Sequence, residues 1–163
     1  MNLLTEMDKA YIAGFFDGEG CVGYYNASQT AKHRPSYFHT SVHVCNIDPC
    51  VIKWIADVTG IGRVNILRSR DKTRRTAYQW QIGKKADVLD FLNAIRPYIK
   101  VKSAQVETIL THLALEASYI QRHGSVTPEI VVTRQHVSDE MKRMKWSTFS
   151  ESVETRQAEP PVH

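Results

Sequence analysis

Two acids, Asp17 and Glu19, close an apolar run with a glycine after each, Asp17-Gly18-Glu19-Gly20. Acids at a helix C-terminus oppose the macrodipole by about 0.3–1 kcal/mol each, so their placement there favours a functional reason over a structural one. A second feature is charge. Residues 61–110 hold 11 basic and 4 acidic side chains, an excess of +7, against a net charge of +4 for the whole chain. Arg63, Arg68, Arg70, Lys72, Arg74 and Arg75 supply most of it. A clustered basic stretch marks a polyanion partner, although a charge run alone is as readily a solvated loop. His39 and His43 suggest zinc at first sight. On one strand they lie about 13 Å apart at ~3.3 Å per residue, too far for a shared ion, so contact with bases or phosphates fits them better.

The elements that must carry these residues follow from local patterns. Thr5-Glu6-Met7-Asp8 opens a helix with Thr5 as N-cap and acids in the first turn. The run to Asp17 is apolar nearly all round, which requires burial on most sides. Gly14 within it costs about 1 kcal/mol against alanine, so a close helix approach is expected there. Cys21–Tyr25 reads as extended and 26–36 as a polar loop. Tyr37–Cys45 alternates, with Phe38, Thr40, Val42 and Val44 on one face and Tyr37, His39, Ser41, His43 and Cys45 on the other. Asp48-Pro49 starts a second helix, with Val51, Ile52, Ile55 and Val58 as its stripe and Gly60 as its stop.

Arg63–Leu67 alternates again, with Val64 and Ile66 expected inward and Arg63 and Asn65 outward. Thr76–Ile82 forms the fourth strand, with Tyr78, Trp80 and Ile82 on one face and Ala77, Gln79 and Gln81 on the other. Helices are expected over Lys85–Arg96, Lys102–Tyr119 and Pro128–Trp146. The order is α-β-β-α-β-β-α followed by two helices, an α+β domain with a mostly hairpin-connected, antiparallel sheet. One sheet face would pack on helices. The other, carrying Tyr, His, Ser, Arg, Asn and Gln, has the hydrogen-bonding inventory needed to read base edges.

The composition sets bounds. The chain has 163 residues, 42% hydrophobic and 23% charged, enough for one domain with its own core. We expect one domain over 1–146, with its core in 5–120 and C-terminal helices in 120–146, then a disordered tail over 147–163. No apolar run reaches the ~18 residues of a membrane span. The first residues lack a signal-peptide pattern. Three cysteines, an odd number without a CxxC pair, fit reduced thiols. The expected location is therefore intracellular, in cytoplasm or an organelle, without a membrane partner.

Ile12-Ala13-Gly14-Phe15-Phe16-Asp17-Gly18-Glu19-Gly20 resembles the LAGLIDADG motif of homing endonucleases, position by position in residue type. The resemblance spans roughly 5–120 and includes Gly60-Ile61-Gly62 and the segment Arg96–Lys102. A single copy of the motif implies the homodimeric class, and the fold it implies is an αββαββα domain with a saddle-shaped sheet. It also implies a site-specific endonuclease that hydrolyses both strands of a long pseudo-palindromic double-stranded DNA site with Mg²⁺, Mn²⁺ being expected to substitute. The setting implied is intron-encoded.

By the same resemblance Glu19 is the metal ligand, where the family more often has Asp, and Gly18 offers its carbonyl to the metal. Asp17 is structural. Asn46 falls where a polar residue positions water, and the alternative for it is an Asx turn before Asp48-Pro49. Lys102 falls where a basic residue lines the scissile phosphate, and Lys53 or Arg63 is a candidate for a second positive charge. The dimer interface would use Ile12, Ala13, Gly14 and Phe16, with Gly14 and Ala13 allowing close backbone approach. Tyr25, Tyr37, His39, Ser41, His43, Arg63, Asn65, Arg68, Arg70, Arg74, Arg75, Gln79 and Gln81 are the candidate DNA contacts. The competing reading is an RNA maturase acting on intron RNA, or a DNA-binding regulator of the same fold that does not cut.

Overall fold

The computed structural model describes residues 1–26, 38–69, 71, 73 and 75–157, with backbone alone for 146–157. Helix α1 spans Glu6–Glu19. Its start is a capping box: Thr5 Oγ1 accepts from the Asp8 amide at 3.2 Å, and Asp8 Oδ2 accepts from the Thr5 amide at 3.1 Å. Strand β1 spans Gly20–Asn26 and follows α1 with no intervening residue. A Cβ on Gly20 would come within 2.2 Å of the Phe16 ring, so only glycine fits this junction.

Strand β2 spans Phe38–Asn46 and helix α2 spans Pro49–Thr59. Asp48 caps α2 through the Cys50 amide at 2.8 Å, and Gly60 ends it with a φ of 64°. Strands β3, Arg63–Leu67, and β4, Ala77–Ile82, form the second hairpin. Helix α3, Lys85–Ile95, runs into a 3-10 turn over Arg96–Tyr98. Helices α4, Ser103–His123, and α5, Pro128–Gln157, complete the order.

The sheet order is β1-β2-β4-β3, and every pairing is antiparallel. The α+β class and element order expected from the sequence are those observed. Val22, Tyr24, Val42, Val44, Trp80 and Ile82 turn one sheet face to the helices, where they join Phe16, Ile52, Ile55, Phe91, Leu92, Ile95 and Ile109 in one core. Trp80 is fully covered, and its indole N–H donates to the Ile61 carbonyl at 2.9 Å. Helix α5 lies along β1 and shields that sheet edge.

Two local expectations differ from the structure. Val64 and Ile66 stand on the helix side of β3, opposite Trp80 and Tyr78, yet are 44% and 55% exposed. The helical layer covers Trp80 and leaves the edge strand's apolar side open. Helix α5 runs to Gln157, past the expected end at Trp146, because 147–157 holds neither glycine nor proline to stop it. Residues 158–163 of the expected tail lie outside the described residues. Among the described residues no helix is long and apolar enough to cross a membrane.

A second polar centre lies between the helices and the sheet. The Glu116 carboxylate, 1% exposed, accepts a hydrogen bond from Arg134 of α5 and pairs with Lys85 of α3 at 2.9 Å. His112, one turn earlier on α4, is 4% exposed and packs edge-on against the Tyr24 ring at 4.7 Å. The pair ties α3, α4 and α5 together beneath β1.

Candidate nuclease site and nucleic-acid face

The last turn of α1 delivers three groups to one place. Gly18 and Glu19 are exposed at the helix end, and Asp17 is half-buried beneath them. The Asp17 carboxylate accepts three successive backbone N–H groups, from Lys100 at 2.7 Å, Val101 at 3.1 Å and Lys102 at 3.0 Å. Burial pushes the Asp17 carboxyl up. The three amides and the Lys102 charge outweigh that and hold it below the usual carboxylate range. Lys102, half-buried, returns its ammonium to the Asp17 carbonyl oxygen. Burial pulls the Lys102 ammonium below its usual range against the opposing influence of Asp17, Cys21 and Glu19. Lys102 and Glu19 thus share one electrostatic neighbourhood, formed by α1 and the start of α4.

Asn46 ends β2 at the same end of the sheet, two positions beyond the Val44–Gly20 pair. Its Oδ1 accepts the Asp48 amide at 2.9 Å, which is the Asx turn weighed against a water-positioning role. Lys53 is exposed on α2, whereas Arg63 lies on the sheet face.

Register assigns the polar face of the sheet. Directly opposed residues share a face, so Tyr25 and His39, Gly23 and Ser41, Cys21 and His43, His43 and Gln81, Cys45 and Gln79, Arg63 and Gln81, and Asn65 and Gln79 all lie together. A ladder of side chains spans it. Asn65 Nδ2 donates to Gln79 Oε1 at 3.2 Å and to Gln81 Oε1 at 3.4 Å. Arg63 donates to Gln81 Oε1 at 3.4 Å, and Gln79 Nε2 donates to Cys45 Sγ at 3.5 Å. Gln81 Nε2 donates to Ser41 Oγ at 2.9 Å. At one end His39, Arg63, Gln81, Lys84 and Asp87 line an open cleft of about 390 Å³. Arg68 and Arg75 are exposed beyond the ends of β3 and β4. Tyr37, Arg70, Lys72 and Arg74 lie outside the described residues.

Ser41 requires a correction. It lies on the expected face but is 1% exposed. Gly23 opposite lacks a side chain, the Tyr25 ring leans over that gap, and Gln81 covers the hydroxyl. Ser41 therefore orients Gln81 and does not itself reach the surface.

The expected interface residues also need correction. Ile12, Ala13 and Phe16 are 0% exposed inside the chain's own core, against α3 and the sheet, so they are not free for a partner. Only Gly14 of that set lies on the open side of α1. The open side is the stripe Met7, Tyr11, Gly14 and Gly18, at helical spacing. Tyr11 continues onto α2, with its ring edge-on to Trp54 at 5.2 Å, around a shallow depression shared with Val51 and Cys50. Ile47 and Val101, 51% and 64% exposed, extend the set of uncovered apolar residues.

Sequence reasoning missed Cys21. Lys145 of α5 reaches its Sγ at 3.1 Å. Burial raises this thiol, but His43 and Lys145 outweigh that and bring it down to about 7. No local signal marks such a contact, because the two residues are 124 positions apart.

The donor set constrains any metal. Among the described residues no three His, Cys, Asp or Glu side chains converge on an ion position. Asp17 is committed to its amides. One chain then offers the Glu19 carboxylate and the Gly18 carbonyl, oxygen donors suited to Mg²⁺ or Ca²⁺ but too few to hold it alone. They fit a divalent ion only in a site completed by further oxygen ligands.

No family model and no curated protein matches the chain. Solved structures do. The homing endonuclease I-CvuI, in complex with the I-CreI target in the presence of Mg and with its DNA not cleaved, is 18% identical, with a TM-score of 0.68 over 85% of this chain and 82% of that one. The archaeal intron-encoded homing endonuclease I-Vdi141I, complexed with DNA, is 15% identical, with a TM-score of 0.67 over 85% and 84%. The LAGLIDADG meganuclease I-AabMI, bound to uncleaved DNA, is 21% identical, with a TM-score of 0.61 over 86% of this chain but 48% of that one. This chain has the fold of the LAGLIDADG homing endonucleases.

Proposed function

We propose that the protein is a site-specific DNA endonuclease that works as a homodimer and hydrolyses both strands of a pseudo-palindromic duplex with Mg²⁺, or Mn²⁺ in its place. The observation that carries this is the exposed Glu19 carboxylate at the tip of α1, beside Lys102 and at the end of a sheet face laddered with amides and a guanidinium. The Arg63, Arg68 and Arg75 cations supply sequence-independent attraction to phosphates, and Gln79, Gln81, Asn65, His39, His43 and Tyr25 supply groups that discriminate base edges. The DNA-bound neighbours support the same substrate.

The donor count supports the homodimer. One carboxylate per chain is half of a paired-carboxylate site, and the stripe Met7, Tyr11, Gly14 and Gly18 gives a second copy somewhere to pack. Glu19 and the Gly18 carbonyl from each copy, with the scissile phosphates, would hold the divalent ions. When bound, such ions lower the pKa of water and offset charge on the leaving oxygen. Lys102, its ammonium held by the Asp17 carbonyl oxygen, contributes positive charge at the phosphate. Three free thiols support an intracellular setting, and the intron-encoded origin rests on the resemblance alone.

A second reading has one observation in its favour. The Asn46 side chain is already spent on its Asx turn, which suits a binder of DNA or intron RNA that does not cut. Cleavage selection on a randomised pseudo-palindromic duplex library with Mg²⁺, run beside Glu19→Gln, separates the two. The endonuclease gives defined double-strand cuts that vanish in the variant. Retained nucleic-acid binding with no cuts in Mg²⁺ or Mn²⁺ selects the maturase or regulator.

A further inference from the structure

We infer that Asp17 is a positioning residue for Lys102, so that a single turn of α1 sets both the carboxylate and the ammonium of the cutting site. The inference rests on the endonuclease reading. Its geometric basis is the grip of Asp17 on both ends of Lys102: the carboxylate takes the Lys102 backbone N–H, and the main-chain carbonyl takes the Lys102 ammonium. The same carboxylate takes the amides of Lys100 and Val101, so the turn leading into α4 is held at three consecutive points.

Packing does not fix that turn. Lys100 is exposed and Val101 is 64% exposed, and only Ile99 before them is buried. Nor does α4 cap itself, since Lys102 at its N-cap makes no side-chain capping bond. A lysine has four rotatable side-chain bonds and supplies useful charge only where its backbone origin and its tip are both restrained. Asp17 supplies both restraints and lies two residues before Glu19. The distance between the acid and the base of the site is therefore set within one helical turn.

An asparagine at position 17 keeps one accepting oxygen and presents an NH₂ to the remaining amides, so it loosens the turn without removing volume. The test uses the duplex recovered by selection. Single-turnover cleavage is measured in Mg²⁺, and affinity for the same duplex in Ca²⁺, for wild type, D17N, K102M and the double variant. Displacement of a positioned group by ~1 Å costs on the order of 100-fold in rate. D17N is expected to slow cleavage by roughly 10- to 100-fold with affinity held within about threefold, and to add nothing to the loss already present in K102M. Equal slowing by D17N in both backgrounds, an unchanged rate, or parallel loss of affinity and cleavage each overturns the inference. Hydrogen exchange on the wild-type protein needs no variant: the amides of Lys100, Val101 and Lys102 are expected to be protected, and rapid exchange at all three overturns it. A wild type that cuts nothing overturns the endonuclease reading, and the inference with it. With a wild type that cuts, any of those three variant outcomes overturns the inference alone and leaves the endonuclease reading standing.

Discussion

Replacing Gly14 with alanine is expected to stabilise the single chain and weaken the proposed homodimer. Gly14 lies inside α1 with no positive φ, and an added Cβ would meet no atom within 4 Å. In the isolated chain the substitution therefore brings only the helix-propensity gain, about 1 kcal/mol. For a chain of this size that raises the Tm by about 2–4 °C. In the proposed homodimer the same methyl enters the space where the partner's α1 approaches. Overpacking costs about 1–3 kcal/mol per site, and two copies meet at the axis, so ~2–6 kcal/mol of association is lost. That is roughly a thirtyfold or larger rise in Kd. Sedimentation velocity from nanomolar to tens of micromolar reads the second quantity, and thermal melts at the dilute end read the first. A Gly14→Ala chain that melts higher yet dimerises as tightly as wild type refutes close approach at Gly14. A wild type that stays monomeric across the range refutes the homodimer itself.

Two further outcomes concern the centre beneath β1. Glu116→Ala leaves Arg134 buried without its carboxylate, and urea unfolding should show a loss of about 3–5 kcal/mol, whereas the paired Glu116→Leu, Arg134→Met change should cost much less. Burial holds His112 below the usual imidazole range, outweighing Glu116 and reinforced by Lys85 and Arg134. The unfolded chain then binds more protons than the folded one below about pH 6.5, so stability falls on acidification from there. Stability curves between pH 7 and 5 should slope for wild type and flatten for His112→Gln, and equal slopes would dismiss the histidine as the cause.

What the sequence made legible was local. Thr5 with Asp8, Asp48-Pro49 and Gly60 act within four or five residues of themselves, and the helix ends fall where they indicate. The alternation of Arg63–Leu67 reproduces β3 in full. What stayed hidden depends on partners far along the chain. Helix α1 is apolar nearly all round, so periodicity could not separate the side of Ile12, Ala13 and Phe16, which the core takes, from that of Met7 and Tyr11, which it leaves open. Alternation gave Val64 its face but not the fact that β3 is an edge. Glu19 and Lys102 could be singled out as candidates through the motif and its downstream segment. The grip of Asp17 on amides 83 to 85 positions away could not, since nothing local encodes it.

The direct passage from Glu19 into Gly20 has a consequence for fidelity on the endonuclease reading. A loop would let a strand settle on the wrong sequence while the carboxylate kept its place. Here the last helical residue and the first strand residue are neighbours, and the Phe16 ring against Gly20 leaves no slack between them. A sheet that lies askew on a mismatched duplex carries the carboxylate askew with it. Errors tolerated in binding are then rejected in cutting, and recognition is tested twice by one rigid joint.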